Sequence, residues 1–91
     1  MSVVVRIPTQ LRSLTGGNNR VEVQAGTVGD VVAALEGAHP GFAERLLDEQ
    51  GAVRRYVNLF VDDEDIRFAQ GLATPVADGQ TISVVPAVAG G

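Results

Sequence analysis

The sequence predicts an α+β domain in which a mixed sheet of about four or five strands packs on one main helix. Three observations predict it. Alternating apolar residues near both ends read as strands. One stretch between them changes to helical period. Glycine-, asparagine- and aspartate-rich clusters separate the elements at short intervals. At 91 residues the chain is long enough for a single, small core.

Each element follows from its own residues. "SVVVRIP" is a β-branched run that places Val3, Val5 and Ile7 on one face of a first strand. "LTGGNN" supplies turn residues, and "RVEVQ" alternates strictly, with Val21 and Val23 inward, so it pairs back on the first strand as a hairpin. In "AGTVGDVVAALEGAHPG" the period changes: Val28, Val31, Val32 and Leu35 fall on one face of a helix. Thr27 suits the N-cap and Asp30 complements the helix dipole. Pro40 disfavours helical geometry at His39 and ends the helix. "FAERLLDEQG" holds a short second helical turn with Phe42, Leu46 and Leu47 inward.

"VRRYVNLFVD" reads as the central strand, with Val57, Leu59 and Val61 on one face and Tyr56, Asn58 and Phe60 on the other. "DDED" is a turn, "IRF" a brief strand, "QGLATPV" a loop anchored by Leu72, and "ADGQ" a further turn. "TISVVP" is the last strand, with Ile82 and Val84 inward. Two hairpins flanking one crossover helix form the β-grasp, or ubiquitin-like, arrangement. It occupies residues 1–86, and residues 87–91 form a flexible tail.

Composition narrows the function. A hydrophobic content of 45% suits a folded domain. Without cysteine there are no disulfides, thiolate metal sites or cysteine nucleophiles. All seven basic residues are arginine, so no lysine is present for a Schiff base or for isopeptide attachment to this chain. A net charge of -4 disfavours nucleic acid as a partner and favours a basic protein surface. No apolar run is long enough to span a bilayer, and the N-terminus has no basic leader before a long apolar stretch, so a cytoplasmic protein is expected.

No side-chain constellation supports catalysis, and the protein is read as a non-enzyme with no bound cofactor and no metal site. His39 is an isolated histidine at a helix end. Asp62, Asp63, Glu64 and Asp65 are consecutive, without the alternation or the glycine of a calcium loop, and read as a solvated turn. Gly16 and Gly17 open no helix and lack the lysine of a phosphate-binding loop. Arg54 and Arg55 are a pair, not a patch. The outer face of the "VRRYVNLFVD" strand is more informative. Phe60 and Tyr56 project away from the core face and mark a partner site, unless the loop carrying Leu72 or Phe68 folds over them.

The tail "AVAGG" follows Pro86. Five extended residues reach at most about 17 Å, enough to enter a partner's cleft. Gly90 and Gly91 pass a narrow channel and adopt backbone angles closed to other residues. A carboxylate on an achiral, unhindered glycine is well suited to activation by adenylation.

These features together resemble the ThiS/MoaD sulfur-carrier family: Val57-Asn58, Leu72 before the Asp78-Gly79 turn, the apolar "ISVVP" strand, and Gly90-Gly91. Within that family "GLATPVADG" and "VPAVAGG" are most similar to the CysO-type carriers of cysteine biosynthesis. The element order matches over the whole chain, and the motifs over roughly its last third. The resemblance implies that an E1-like enzyme uses ATP and Mg2+ to adenylate the Gly91 carboxylate. Sulfur then replaces AMP to give a thiocarboxylate. It implies that Gly90, Ala89 and Val88 thread the partner's cleft, and that Phe60, Val85 and Tyr56 form the docking surface. The implied downstream partners are a PLP-dependent, cysteine-synthase-like enzyme and a JAMM-type zinc metalloprotease, so ATP, Mg2+, PLP and zinc belong to partners. Ala87 departs from the proline that such carriers often have there. Molybdopterin, thiazole or a sulfur-containing secondary metabolite stand as alternative acceptors, and a ubiquitin-like protein modifier as an alternative role.

Overall fold

The computed structural model describes residues 2–55 and 57–86. It has the expected β-grasp architecture. Strand β1 (Ser2–Arg6) pairs antiparallel with β2 (Arg20–Gln24) in a register that sets Val3 opposite Val23 and Val5 opposite Val21. Their connection is more structured than a plain turn. Thr9–Thr15 forms a 3-10 helix that buries Leu11, and Gly16 ends it at φ 67°, a left-handed conformation that favours glycine.

The crossover begins with β3 (Gly26–Thr27) and continues as α1 (Val28–Ala38). The expected cap is present and reciprocal. The Asp30 N–H donates to Thr27 Oγ1 at 3.1 Å, and the Thr27 N–H donates to Asp30 Oδ2 at 3.0 Å. The return of the Asp30 carboxylate requires the space over Gly26, where a Cβ would lie 2.8 Å from Asp30 Oδ2. Val28, Val31, Val32 and Leu35 are buried as the period demands. The second helix, α2 (Phe42–Leu46), is too short to satisfy its own first turn. Glu36 on α1 does so from outside: its Oε1 accepts from the N–H groups of Gly41 and Ala43 at 3.1 and 2.9 Å. Phe42 and Leu46 are then wholly buried, while Leu47 is half-buried and packs at the core's margin. Burial of a side chain such as Phe42 contributes about 1.5–3 kcal/mol.

The remaining strands are β4 (Val57–Val61), β5 (Glu64–Asp65), β6 (Pro75–Val76) and β7 (Thr81–Pro86). The five-stranded sheet has the order β2-β1-β7-β4-β5, and β3 pairs separately with β6. This corrects the expectation that the "VRRYVNLFVD" strand is central. The centre is β7, parallel to β1 and antiparallel to β4, and β4 lies one place from the edge. Alternation reports which face of a strand is buried, not which strands flank it.

Two further expectations are corrected. Only Asp62 and Asp63 of "DDED" turn the chain, since Glu64 and Asp65 pair with Val61 and Phe60 as β5. "IRF" is a 3-10 helix, Ile66–Phe68, because the Asp65 carboxylate accepts from the Arg67 N–H at 2.8 Å and bends the chain out of extension. The inner sheet face, with Val3, Val5, Val57, Leu59, Ile82 and Val84, forms one core cluster with α1 and α2. Among the described residues no helix is long and apolar enough to cross a membrane.

The cap gives a pH-dependent prediction. Hydrogen bonds from the Thr27 main chain and side chain hold the Asp30 carboxyl below its ordinary value. A depressed folded-state pKa means that its contribution to stability is complete above the unfolded value, about 3.9. The contribution is lost as pH falls through the folded value. In urea melts, the stability gap between the natural chain and Asp30→Asn should be constant from neutral pH down to roughly pH 5 and should narrow below about pH 4. A gap of equal size at pH 3 and pH 7 would disprove the assignment.

Candidate functional site

The outer face of the sheet carries the candidate site, and strand register places its residues. Phe60 lies opposite Ser83, and Asn58 opposite Val85. On the other side of β7, Ser83 is paired with Arg6, and Arg6 in turn with Arg20. One row across the sheet therefore reads Arg20, Arg6, Ser83, Phe60, Asp65. Phe60 is half-buried and Val85 is 44% exposed.

The loop after β5 leaves this face open. Leu72 packs on the opposite, helix-bearing side, where its main-chain oxygen lies 3.3 Å from the position of a Cβ on Gly29. Phe68 is 85% exposed and covers little. The structure thus brings Phe60 and Val85 onto one accessible face. Tyr56 and the tail residues Val88, Ala89, Gly90 and Gly91 lie outside the described residues. A broad trough on this face is lined by Asp62, Asp63 and Thr81 together with Arg6, Arg12, Arg20 and Val85.

Sequence reasoning missed Arg67. Its Nη2 donates to the main-chain oxygens of Val57, Arg55 and Arg54 at 2.8, 3.0 and 3.3 Å, and its Nη1 donates to Asn58 Oδ1. The planar guanidinium gathers four acceptors that a point-charge ammonium could not span. It holds the chain entering β4 against the strand that bears Phe60. Asn58, picked out in the sequence as part of a valine–asparagine pair, is one of its ligands. Only its position nine residues from Asn58, across a turn, hinted at the contact.

Two residues of the acidic run, Asp62 and Asp65, hold turns through their carboxylates. Asp62 is the one non-glycine residue at positive φ among the described residues (φ 54°). Its Oδ1 accepts from the Thr81 N–H at 3.1 Å and its Oδ2 from Gln80 Nε2 at 3.0 Å. This ties the β4–β5 turn to the start of β7. Among the described residues no group of three or more histidine, cysteine, aspartate or glutamate side chains is arranged to hold a metal ion. His39 stands at the C-cap of α1 with its ring edge-on to Phe42, the centroids 6.4 Å apart. A second recess of about 410 Å³ lies on the helix side, lined by Val53, Val57, Leu59, Ile66 and Leu72 among others, and is mainly apolar.

Comparison with known proteins adds to this geometry. Residues 5–91 match the ThiS family. The chain is 48% identical over 93 residues to the sulfur carrier protein CysO of Mycobacterium tuberculosis, with both chains covered completely. It is 37% identical over 94 residues to small archaeal modifier protein 3 of Haloferax volcanii, again over the whole of both. Among solved structures it matches a chain in the crystal structure of the Amycolatopsis orientalis BexX/CysO complex. The TM-score is 0.92 at 45% identity, over 98% of this chain and 99% of that one.

The Arg67 contacts predict that Arg67→Ala lowers the free energy of unfolding by about 1–2 kcal/mol, the range for charge-assisted bonds discounted for exposure. Arg67→Lys should recover little of this, and amide exchange around Arg55 and Val57 should accelerate in both. Stability equal to that of Phe68→Ala, a change at a neighbouring exposed site, would disprove the clamp.

Proposed function

The chain belongs to the ThiS family, and on that premise we propose that it is a sulfur carrier whose reactive group is the carboxylate of Gly91. The observation that carries this reading is the reach of the family match. It runs through residue 91 and so includes the Gly-Gly pair together with the fold that presents it. The geometry agrees. β7 brings the chain to Pro86, opposite Val57, along the middle of the sheet; Val85 stands next to it on the open face, and Phe60 lies farther back, opposite Ser83.

In this mechanism the chain is a substrate and not a catalyst. An E1-like enzyme, holding ATP and Mg2+, joins the Gly91 carboxylate to AMP with loss of pyrophosphate. A sulfur nucleophile then displaces AMP and leaves a thiocarboxylate. Gly90, Ala89 and Val88 thread the enzyme's cleft, while Phe60, Val85 and Tyr56 bear on its surface. The thiocarboxylate is ionised at neutral pH, and its sulfur is a soft nucleophile. Its acceptor in the favoured pathway is an aminoacrylate held on PLP by a cysteine-synthase-like enzyme. The sulfur would add to the alkene carbon to give a thioester, an S-to-N acyl shift would convert this to an amide between Gly91 and cysteine, and a JAMM-type zinc protease would hydrolyse that amide, freeing cysteine and restoring the Gly91 carboxylate. The association of CysO with BexX in Amycolatopsis orientalis supports stable docking of such a carrier on a partner protein. Reactions of this kind belong to the cytoplasm, which is the compartment proposed for the chain.

The identity to a small archaeal modifier protein supports a second reading, in which activated Gly91 forms an isopeptide with a lysine of another protein. Since this chain has no lysine, such attachment would be single and not chained.

The deciding experiment is intact mass after incubation with ATP, sulfide and a candidate E1-like enzyme. The expected product has one sulfur in place of one oxygen, located in the C-terminal peptide. No such product, from an enzyme that loads an established carrier in parallel, would overturn the reading. Deletion of Gly91 should abolish loading and leave the thermal midpoint unchanged. Val85→Asp should weaken enzyme binding at least about tenfold, as expected when a charge enters an apolar contact, again with the fold intact. Unchanged binding would remove Val85 from the docking surface.

A further inference from the structure

The net charge of -4 conceals a gathering of arginines along β7 that only the topology reveals. Arg6 and Arg20 are exposed and directly opposite each other on β1 and β2, and Arg6 is flanked by Ser83 on β7. Arg12 sits beside them, its Nε donating to the Ile7 main-chain oxygen at 3.2 Å. On the far flank of β7, Val57 is paired with Pro86, so Arg54 and Arg55 lie just beyond the strand's end. Arg67 is bound to their main-chain oxygens. Six of the seven arginines thus flank β7: Arg6 and Arg20 level with Ser83 in its middle, with Arg12 in the same trough, and Arg54, Arg55 and Arg67 beside Pro86 on the β4 side. The hydrogen bonds that these arginines make among the described residues run to main-chain carbonyls and to the Asn58 amide. One of these carbonyls belongs to Glu44, an acidic residue on that flank. The acidic turn of Asp62 to Asp65 follows the far end of β4, where Asp65 shares the row of Arg6 and Arg20, and Asp62 and Asp63 line the same trough as Arg6, Arg12 and Arg20.

Such clustering has an energetic cost. Like charges set directly opposite on neighbouring strands destabilise the pair. A neutral residue at position 6 or 20 would remove that cost without disturbing the core, because both side chains are exposed.

Resting on the sulfur-carrier reading, we propose that this arginine rim is a docking surface for an acidic protein surface around the mouth of the cleft that receives the tail. Steering by the rim aligns β7 with that mouth, while the overall negative charge repels other acidic surfaces. The inference reverses what composition suggests: the partner's docking rim carries carboxylates and not a basic patch. Arginine favours this role because its fork pairs bidentately with carboxylates.

The test uses the full chain and two independent readouts, with the triple variant Arg6→Gln/Arg20→Gln/Arg55→Gln beside an Arg45→Gln control on α2. In the first, amide shifts are followed by NMR during titration with a decaglutamate peptide. Shifts should concentrate at Arg6, Ile7, Arg20 and Val85 in the natural chain, fade with salt, and disappear in the triple variant. In the second, the KM for loading by the activating enzyme should rise at least about tenfold in the triple variant, with kcat unchanged. The Arg45→Gln control should behave as the natural chain. An unchanged KM and no peptide shifts at the rim would overturn the proposal. If the natural chain is not loaded at all, the sulfur-carrier reading fails, and the peptide titration by itself decides whether the rim recognises carboxylates.

Discussion

The pairing of β7 on both sides is the constraint on which the rest depends. β7 joins the β1–β2 hairpin to β4, parallel on one side and antiparallel on the other. Ile82 and Val84 fix its inner face against the core, and Val85 consequently faces out. A strand in this position cannot shift by one residue without exchanging those faces. The register of β7 up to Pro86 is therefore held to a residue. For a protein proposed to act through the residues beyond its last strand, that precision is the main service of the fold.

The carboxylates support the same arrangement. Asp30, Glu36, Asp48, Asp62, Asp65 and Asp78 each accept a main-chain N–H. They close helix starts and turns that the short elements leave open. Asp78 receives the Ser2 N–H at 2.7 Å and Asp62 the Thr81 N–H at 3.1 Å, so both neighbours of β7 are tied to the turn that launches it. Six of the seven arginines, in contrast, gather from separate segments along the two flanks of β7.

Much of this was legible in advance. The capping pair Thr27 and Asp30, the helical face from Val28 to Leu35, the inward residues of three strands, and the outward direction of Phe60 come from local rules of period and capping. The central position of β7 did not, nor did the 3-10 conformation of Ile66–Phe68, nor the capping of α2 by Glu36. Each depends on a group distant in sequence or on a side-chain bond that competes with extension. Arg67 was missed for the same reason: its acceptors are mostly main-chain oxygens, which have no residue-specific signature.

The sequence by itself determined the type and facing of each main element, because alternation and helical period are properties of consecutive residues. It also carried the family through the turn, strand and Gly-Gly pattern near the C-terminus. Only the tertiary structure decided the neighbours of β7, the openness of the Phe60 face, and the gathering of arginines from separate segments along the two flanks of β7. Those features arise from pairing between remote parts of the chain, and charge or exposure summed along a sequence has no term for that.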